Sequence, residues 1–138
     1  MNTMPKIALG AWSWGAGAAG GDQVFGNHLF EDDLRPVFDK ALACGLTLWD
    51  TAAVYGEGTS ERILGNFVKD VSREQVILST KFTPQIASDS PEAMQEMLDG
   101  SKARLHADVM VSAPFENVDF RRNGVSFLTG QHTGVIQP

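Results

Sequence analysis

The feature that most constrains this chain is a rhythm. Short apolar runs that stop at a glycine or a charged residue alternate with longer stretches whose apolar residues recur at helical spacing. Lys6 to Leu9 is the first such run and ends at Gly10; Leu46 to Trp49 ends at Asp50; Val76 to Leu78 ends near Lys81; Val109 to Val111 reads as a fourth. Between the first two, Glu31, Asp32 and Asp33 place negative charge where a helix N-terminus favours it, and Leu34, Val37, Phe38, Ala41 and Leu42 follow at helical spacing up to Gly45. Pro36 is expected within the first turn of that helix, where its missing amide hydrogen costs little. Ser60 and Glu61 open a second helix with the stripe Ile63, Leu64, Phe67 and Val68. Ser90, Pro91 and Glu92 look like a third helix start, with Ser90 as cap, followed by Met94, Met97, Leu98 and Leu105. The Gly- and Ala-rich stretch from Gly15 to Gly26 is expected to be a long loop.

Strands alternating with helices imply parallel βαβ units, a pattern shared by doubly wound sheets and barrels. A doubly wound dinucleotide fold needs GxGxxG after its first strand, whereas here the run is Gly10-Ala11-Trp12-Ser13-Trp14-Gly15. The barrel is therefore the better reading, and Asp50 and Lys81 fall where a barrel keeps its chemistry, at the C-terminal ends of strands. Length limits that reading. A closed (β/α)8 barrel takes roughly 250 residues, and this chain has 138. The expectation is an α/β chain with three to four βα units of an unclosed barrel in residues 1–110, and an atypical tail in 111–138 whose one strand-like run is Val125 to Leu128. An interrupted reading frame near Met110 would account for such a tail. Open sheet edges carry unpaired backbone groups, so self-association through them, or pairing with a barrel homologue, is expected along with marginal stability.

Composition removes several classes. With 11 Lys and Arg against 17 Asp and Glu and no basic cluster beyond Arg121-Arg122, the chain lacks the cationic face that nucleic acid requires. No apolar run approaches about 18 residues, which argues against a membrane span, and no basic stretch with an apolar core marks a secretion signal. Cys44, alone among Ala41, Leu42 and Ala43, is expected to be a small buried residue in a reducing compartment, which points to the cytoplasm. The 3 His and 1 Cys have no metal-ligand spacing, so no metal is expected. His28 reads as a loop residue and His106 as a surface residue before the fourth strand.

Asp50, Tyr55 and Lys81 are the candidates for chemistry. An ammonium beside a phenol favours the phenolate, a neighbouring carboxylate keeps the ammonium charged and oriented, and the phenol becomes a proton donor for a carbonyl oxygen. Spacing alone also allows Asp50 to cap a turn and Lys81 to be solvated. Trp12, Trp14 and Phe82 are open between pocket walls and barrel packing.

The full strings go further. Gly45-Leu46-Thr47-Leu48-Trp49-Asp50-Thr51-Ala52, then Tyr55-Gly56, Ser60-Glu61, Leu64-Gly65 and Leu78-Ser79-Thr80-Lys81, resemble the aldo-keto reductases in that order. Leu9-Gly10-Ala11-Trp12 is similar to the family's first strand, and Ser101-Lys102, Arg104-Leu105 and Asp108-Val109 are similar to its run into the fourth, so the likeness covers about residues 6 to 110. The resemblance implies a (β/α)8 barrel that reduces aldehydes or ketones with a nicotinamide cofactor, usually NADPH with NADH left open, and without a metal. It implies Tyr55 as general acid, Lys81 as the residue that tunes it and Asp50 as the partner of Lys81. It also implies that Gly10, Ala11, Trp12 and Asp50 lie beside the cofactor, Ala11 through its backbone because the family often has Thr there.

After Met110 the chain departs from the pattern. The family has a His at the end of its fourth strand, but here the run is Val111-Ser112-Ala113-Pro114-Phe115-Glu116-Asn117, and His132 lies too far along to serve. Loss of a polarising group weakens stabilisation of developing charge. Two readings stand on the sequence. One is a truncated oxidoreductase acting weakly, if at all, on a small carbonyl substrate; the other is a non-catalytic barrel fragment that acts through self-association or pairing.

Overall fold

A computed structural model describes residues 5–107 and 110–111. Val109, His132, Arg121-Arg122, Val125 to Leu128 and the remainder of the expected tail from 112 onward lie outside the described residues. Four strands, β1 (Ala8–Gly10), β2 (Leu48–Asp50), β3 (Ile77–Thr80) and β4 (Met110–Val111), form one parallel sheet in the order β1-β2-β3-β4. Four α-helices are described: α1 (Gly21–Phe25), α2 (Glu31–Ala43), α3 (Thr59–Val68) and α4 (Ala93–Leu105).

Each of the first three strands ends one or two residues later than its apolar run. The register pairs Gly10 with Asp50 and Asp50 with Ser79, so pairing continues through polar residues. Apolar content marks which residues are buried, while the ladder is made by backbone groups that every residue carries. Side chains alternate across a strand, and the row Leu9, Trp49 and Leu78 packs into the single core cluster with α2, α3 and Leu105 of α4. On the opposite face, Ala8 is exposed and Leu48 and Ile77 are half-buried. Helices on one face of a sheet whose strands run in sequence order form the barrel arrangement; a doubly wound sheet would cover both faces and reverse its order.

The core is aromatic at its centre. Trp49 stacks within 5.3 Å of Trp14 and 5.2 Å of Phe38, and Phe38 lies 5.4 Å from Phe67. In α2 the stripe narrows to Leu34, Phe38 and Ala41, and Val37 is 53% exposed. Pro36 is the sixth residue of α2, not part of its first turn. It removes the bond that would reach the carbonyl of Asp32, and both residues are exposed, so water can serve that oxygen. Cys44 is exposed rather than buried: α2 ends at Ala43, and Cys44 is its C-cap, leaving the helical path before it reaches the core face.

The stripe of α3 is buried as expected. Ser60 is not its cap, because Gly58 holds that position and the Ser60 hydroxyl turns inward. Helix α4 begins at Ala93, after a turn in which the Ser90 hydroxyl accepts the Glu92 amide at 3.0 Å. The helices α3 and α4 approach closely at Gly65, where any Cβ would collide with the carbonyl oxygen of Arg104. The expected loop Gly15 to Gly26 contains α1, whose five residues are too few to show helical periodicity. His106 is the exposed C-cap of α4, and His28 is an exposed loop residue, both as expected. Among the described residues, no helix is long and apolar enough to cross a membrane.

Candidate active site

Parallel strands bring their C-terminal ends to one edge of the sheet, and the candidate residues meet there. Gly10, Asp50 and Ser79 form one row on the face away from the helices. Asp50 closes β2, and Lys81 follows the last residue of β3. Lys81 Nζ donates to Asp50 Oδ2 at 2.5 Å and to the Thr51 carbonyl at 3.0 Å. The Ser79 hydroxyl donates to the other oxygen, Asp50 Oδ1, at 3.0 Å. The side chains of Lys81 and Asp50 retain only 19% and 31% of their exposure, so the pair is held from both ends and partly shielded from water.

Tyr55 lies on the turn between β2 and α3, half-buried, with Lys81 Nζ over its ring at 5.3 Å from the centroid. This is within the range of a cation–π contact. Trp12 stacks on the same ring at 5.9 Å, and Phe25 of α1 meets Trp12 edge-on at 5.0 Å. The indole N–H of Trp12 donates to the Ala19 carbonyl at 2.8 Å, which fixes the ring in place. The turn beyond Tyr55 is left-handed, with φ of 55° at Gly56, 53° at Glu57 and 85° at Gly58. Its backbone touches the Gly-rich loop: a Cβ on Gly17 would stand 2.5 Å from the Gly56 oxygen, and one on Gly56 would stand 2.6 Å from the Ala16 oxygen. Those glycines let two backbones meet beneath Tyr55.

Asp50, Tyr55 and Lys81 are thus brought together, with Gly10 and Trp12 beside them. Gly10 is exposed and a Cβ added there meets nothing within 4 Å, and Trp12 is 46% exposed. Ala11 is fully buried, its amide donates to the Asp50 carbonyl at 2.9 Å and its carbonyl accepts from Ser60 at 2.7 Å. Trp14, 4% exposed, is core packing, and Phe82 is half-buried beyond Lys81. Among the described residues, no group of three or more His, Cys, Asp and Glu side chains is placed to hold a metal ion.

Polar residues that the sequence reading did not select lie directly behind the site. Thr51, Ser60, Glu61 and Thr80 are all buried. A Ser-Glu pair at a helix start ordinarily caps and solvates, and nothing in its spacing points to partners elsewhere in the chain.

Residues 6–119 match the Aldo/keto reductase family. The chain belongs to the aldo/keto reductase family. An aldo-keto reductase of Gibberella moniliformis is 35% identical over 97 residues, 66% of this chain and 30% of the relative. The NADH-specific methylglyoxal reductase of Escherichia coli is 35% identical over 79 residues, 57% of this chain and 23% of the relative. Among solved structures, an aldo-keto reductase from Klebsiella pneumoniae in complex with NADPH matches with a TM-score of 0.58 at 30% identity, over 75% of this chain and 32% of that one. This aldo/keto reductase chain spans less than a third of the length of each of these three proteins. Its unclosed parallel sheet with helices on one face corresponds to part of the barrel those structural neighbours share.

Proposed function

We propose that this aldo/keto reductase chain reduces aldehydes or ketones with NADPH, and that Tyr55 delivers the proton to the carbonyl oxygen. The observation that carries this reading is the placing of Lys81, whose ammonium is bound to Asp50 at 2.5 Å and stands over the Tyr55 ring at 5.3 Å. An ammonium so placed stabilises negative charge on the phenol oxygen as its proton leaves, and Asp50 with the Thr51 carbonyl keeps the ammonium from turning away. Trp12, stacked on Tyr55 and met edge-on by Phe25, offers an exposed apolar surface on which the apolar part of a small substrate can rest.

The residues present fit the nicotinamide end of a cofactor. Gly10 leaves open space at the end of β1, adjacent in register to Asp50. NADPH, when bound, supplies the hydride that reaches the carbonyl carbon. Gly10, Trp12 and Asp50 are the residues assigned to that end, with Ala11 behind them, its amide and carbonyl each bonded within the protein. The choice of NADPH rests on the Klebsiella pneumoniae structural neighbour, whose complex is with NADPH.

Incubating the chain with an aldehyde and NADPH deuterated at the nicotinamide C4 position tests the reaction class directly. The expected product is the alcohol with deuterium on its carbinol carbon. No alcohol, or alcohol without deuterium when either C4 epimer of the label is used, would contradict the proposal.

A further inference from the structure

The first turn of α3 carries two consecutive, fully buried polar side chains, Ser60 and Glu61. The Ser60 hydroxyl donates to the Ala11 carbonyl at 2.7 Å and lies 2.9 Å from Thr51 Oγ1. Glu61 accepts the Thr80 hydroxyl on Oε1 at 2.5 Å and the Arg104 Nε–H on Oε2 at 2.6 Å. A single helical turn therefore holds residues at the C-terminal ends of β1, β2 and β3 at once.

Arg104 meets the electrostatic need of a buried carboxylate, which is tolerated only with a charged, well-aligned partner. The bond to Thr80 has a separate consequence. Thr80 is the last residue of β3, is 1% exposed on the helix side, and directly precedes Lys81. Successive strand residues point to opposite faces, so fixing Thr80 against α3 sets the point and direction from which Lys81 leaves the strand. From there its ammonium reaches Asp50, the Thr51 carbonyl and the Tyr55 ring.

We propose that Glu61 is a positioning residue that acts through Thr80 to hold the Lys81 ammonium against Asp50 and Tyr55. Its consequence for carbonyl reduction rests on the function proposed above, whereas its consequence for the surroundings of Tyr55 does not.

Tyr55 is the sole tyrosine in the chain, so ring-labelled tyrosine gives one set of ring cross peaks in a carbon–proton NMR spectrum. Lys81→Met calibrates how far those peaks move when the ammonium is lost. Thr80→Val removes the hydroxyl at similar volume from the face opposite Lys81, and Thr80→Ser retains it. In the full chain, Thr80→Val is expected to move the Tyr55 peaks by at least half the Lys81→Met displacement and in the same direction, with Thr80→Ser at the wild-type position. Where Thr80→Val does not fold by circular dichroism, Thr80→Ala is read in its place. A lowered Tm with Tyr55 peaks unmoved would show a merely structural role and overturn the proposal, as would Lys81→Met leaving the peaks in place. The deuterium-transfer assay on the same samples separates the two ideas: peaks that move as expected in a chain that forms no alcohol retain the positioning role and remove the proposed function.

Discussion

Lys81 has three donors, and two of them are used on Asp50 Oδ2 and the Thr51 carbonyl. Replacing it with Met removes the charge that stabilises a developing phenolate, so Lys81→Met is expected to lower kcat by about 10²–10⁴-fold, the span typical of positioned proton transfer. Asp50→Asn leaves the Thr51 carbonyl and an amide oxygen to receive the ammonium, so its loss is expected to be the smaller of the two. Steady-state kinetics at saturating substrate check the order, and an Asp50→Asn loss larger than that of Lys81→Met would contradict it. The trio is a candidate in the sequence through the strings that resemble the family; the ends of apolar runs alone leave Asp50 open as a turn cap and Lys81 as a solvated residue. Glu61 was not legible. Its partners Thr80 and Arg104 lie 19 and 43 residues away, and only the folded chain brings them to a carboxylate that local sequence assigns to a solvated helix start. The inward turn of Ser60, which bonds the Ala11 carbonyl, was equally invisible to local sequence.

At the scale of elements, α2 and α3 were legible from periodic apolar residues, and the departures came where backbone geometry overrides periodicity. Helix α1 has five residues among glycines, too few to show an apolar stripe, and its Phe25 meets Trp12 edge-on. Helix α2 is tied to the end of α3 by Arg35, which bonds Asp70 at 2.7 Å and Asp39 at 2.9 Å. Those bonds, first to Asp70 and then to Asp39, raise the already high ionisation range of the guanidinium. A raised cationic group contributes its stability below that range and loses it only as pH rises through it, so this link is constant at ordinary pH. The most demanding junction is between α3 and α4. Gly65→Ala places a Cβ against the Arg104 carbonyl oxygen and the Leu105 Cα, both backbone atoms that cannot swing aside. The expected cost is about 1–3 kcal/mol, as for an overpacked core. Urea unfolding measures it, and an unchanged midpoint would contradict the close approach.

At the scale of the molecule, sequential strand order and the packing of α2, α3 and α4 on one face of the sheet among the described residues identify barrel architecture more firmly than the missing GxGxxG could. That architecture leaves the row Ala8, Leu48 and Ile77 on a face that the described helices do not cover, and it gathers Trp12, Asp50, Tyr55 and Lys81 at one edge. The site is thus a property of the assembled sheet, drawn from the ends of three strands and braced by α3. Within the proposed function, the residue on which everything else bears is Tyr55, as donor of the proton to the carbonyl oxygen. The most direct test is NADPH consumption with an aldehyde in wild type and Tyr55→Phe, alongside a fluorescence titration of NADPH in both. Matching cofactor affinities are expected, with a turnover lower by about 10²–10⁴-fold in Tyr55→Phe. Turnover in Tyr55→Phe within about twofold of wild type, well inside the tenfold that 1.36 kcal/mol of barrier represents, would contradict it.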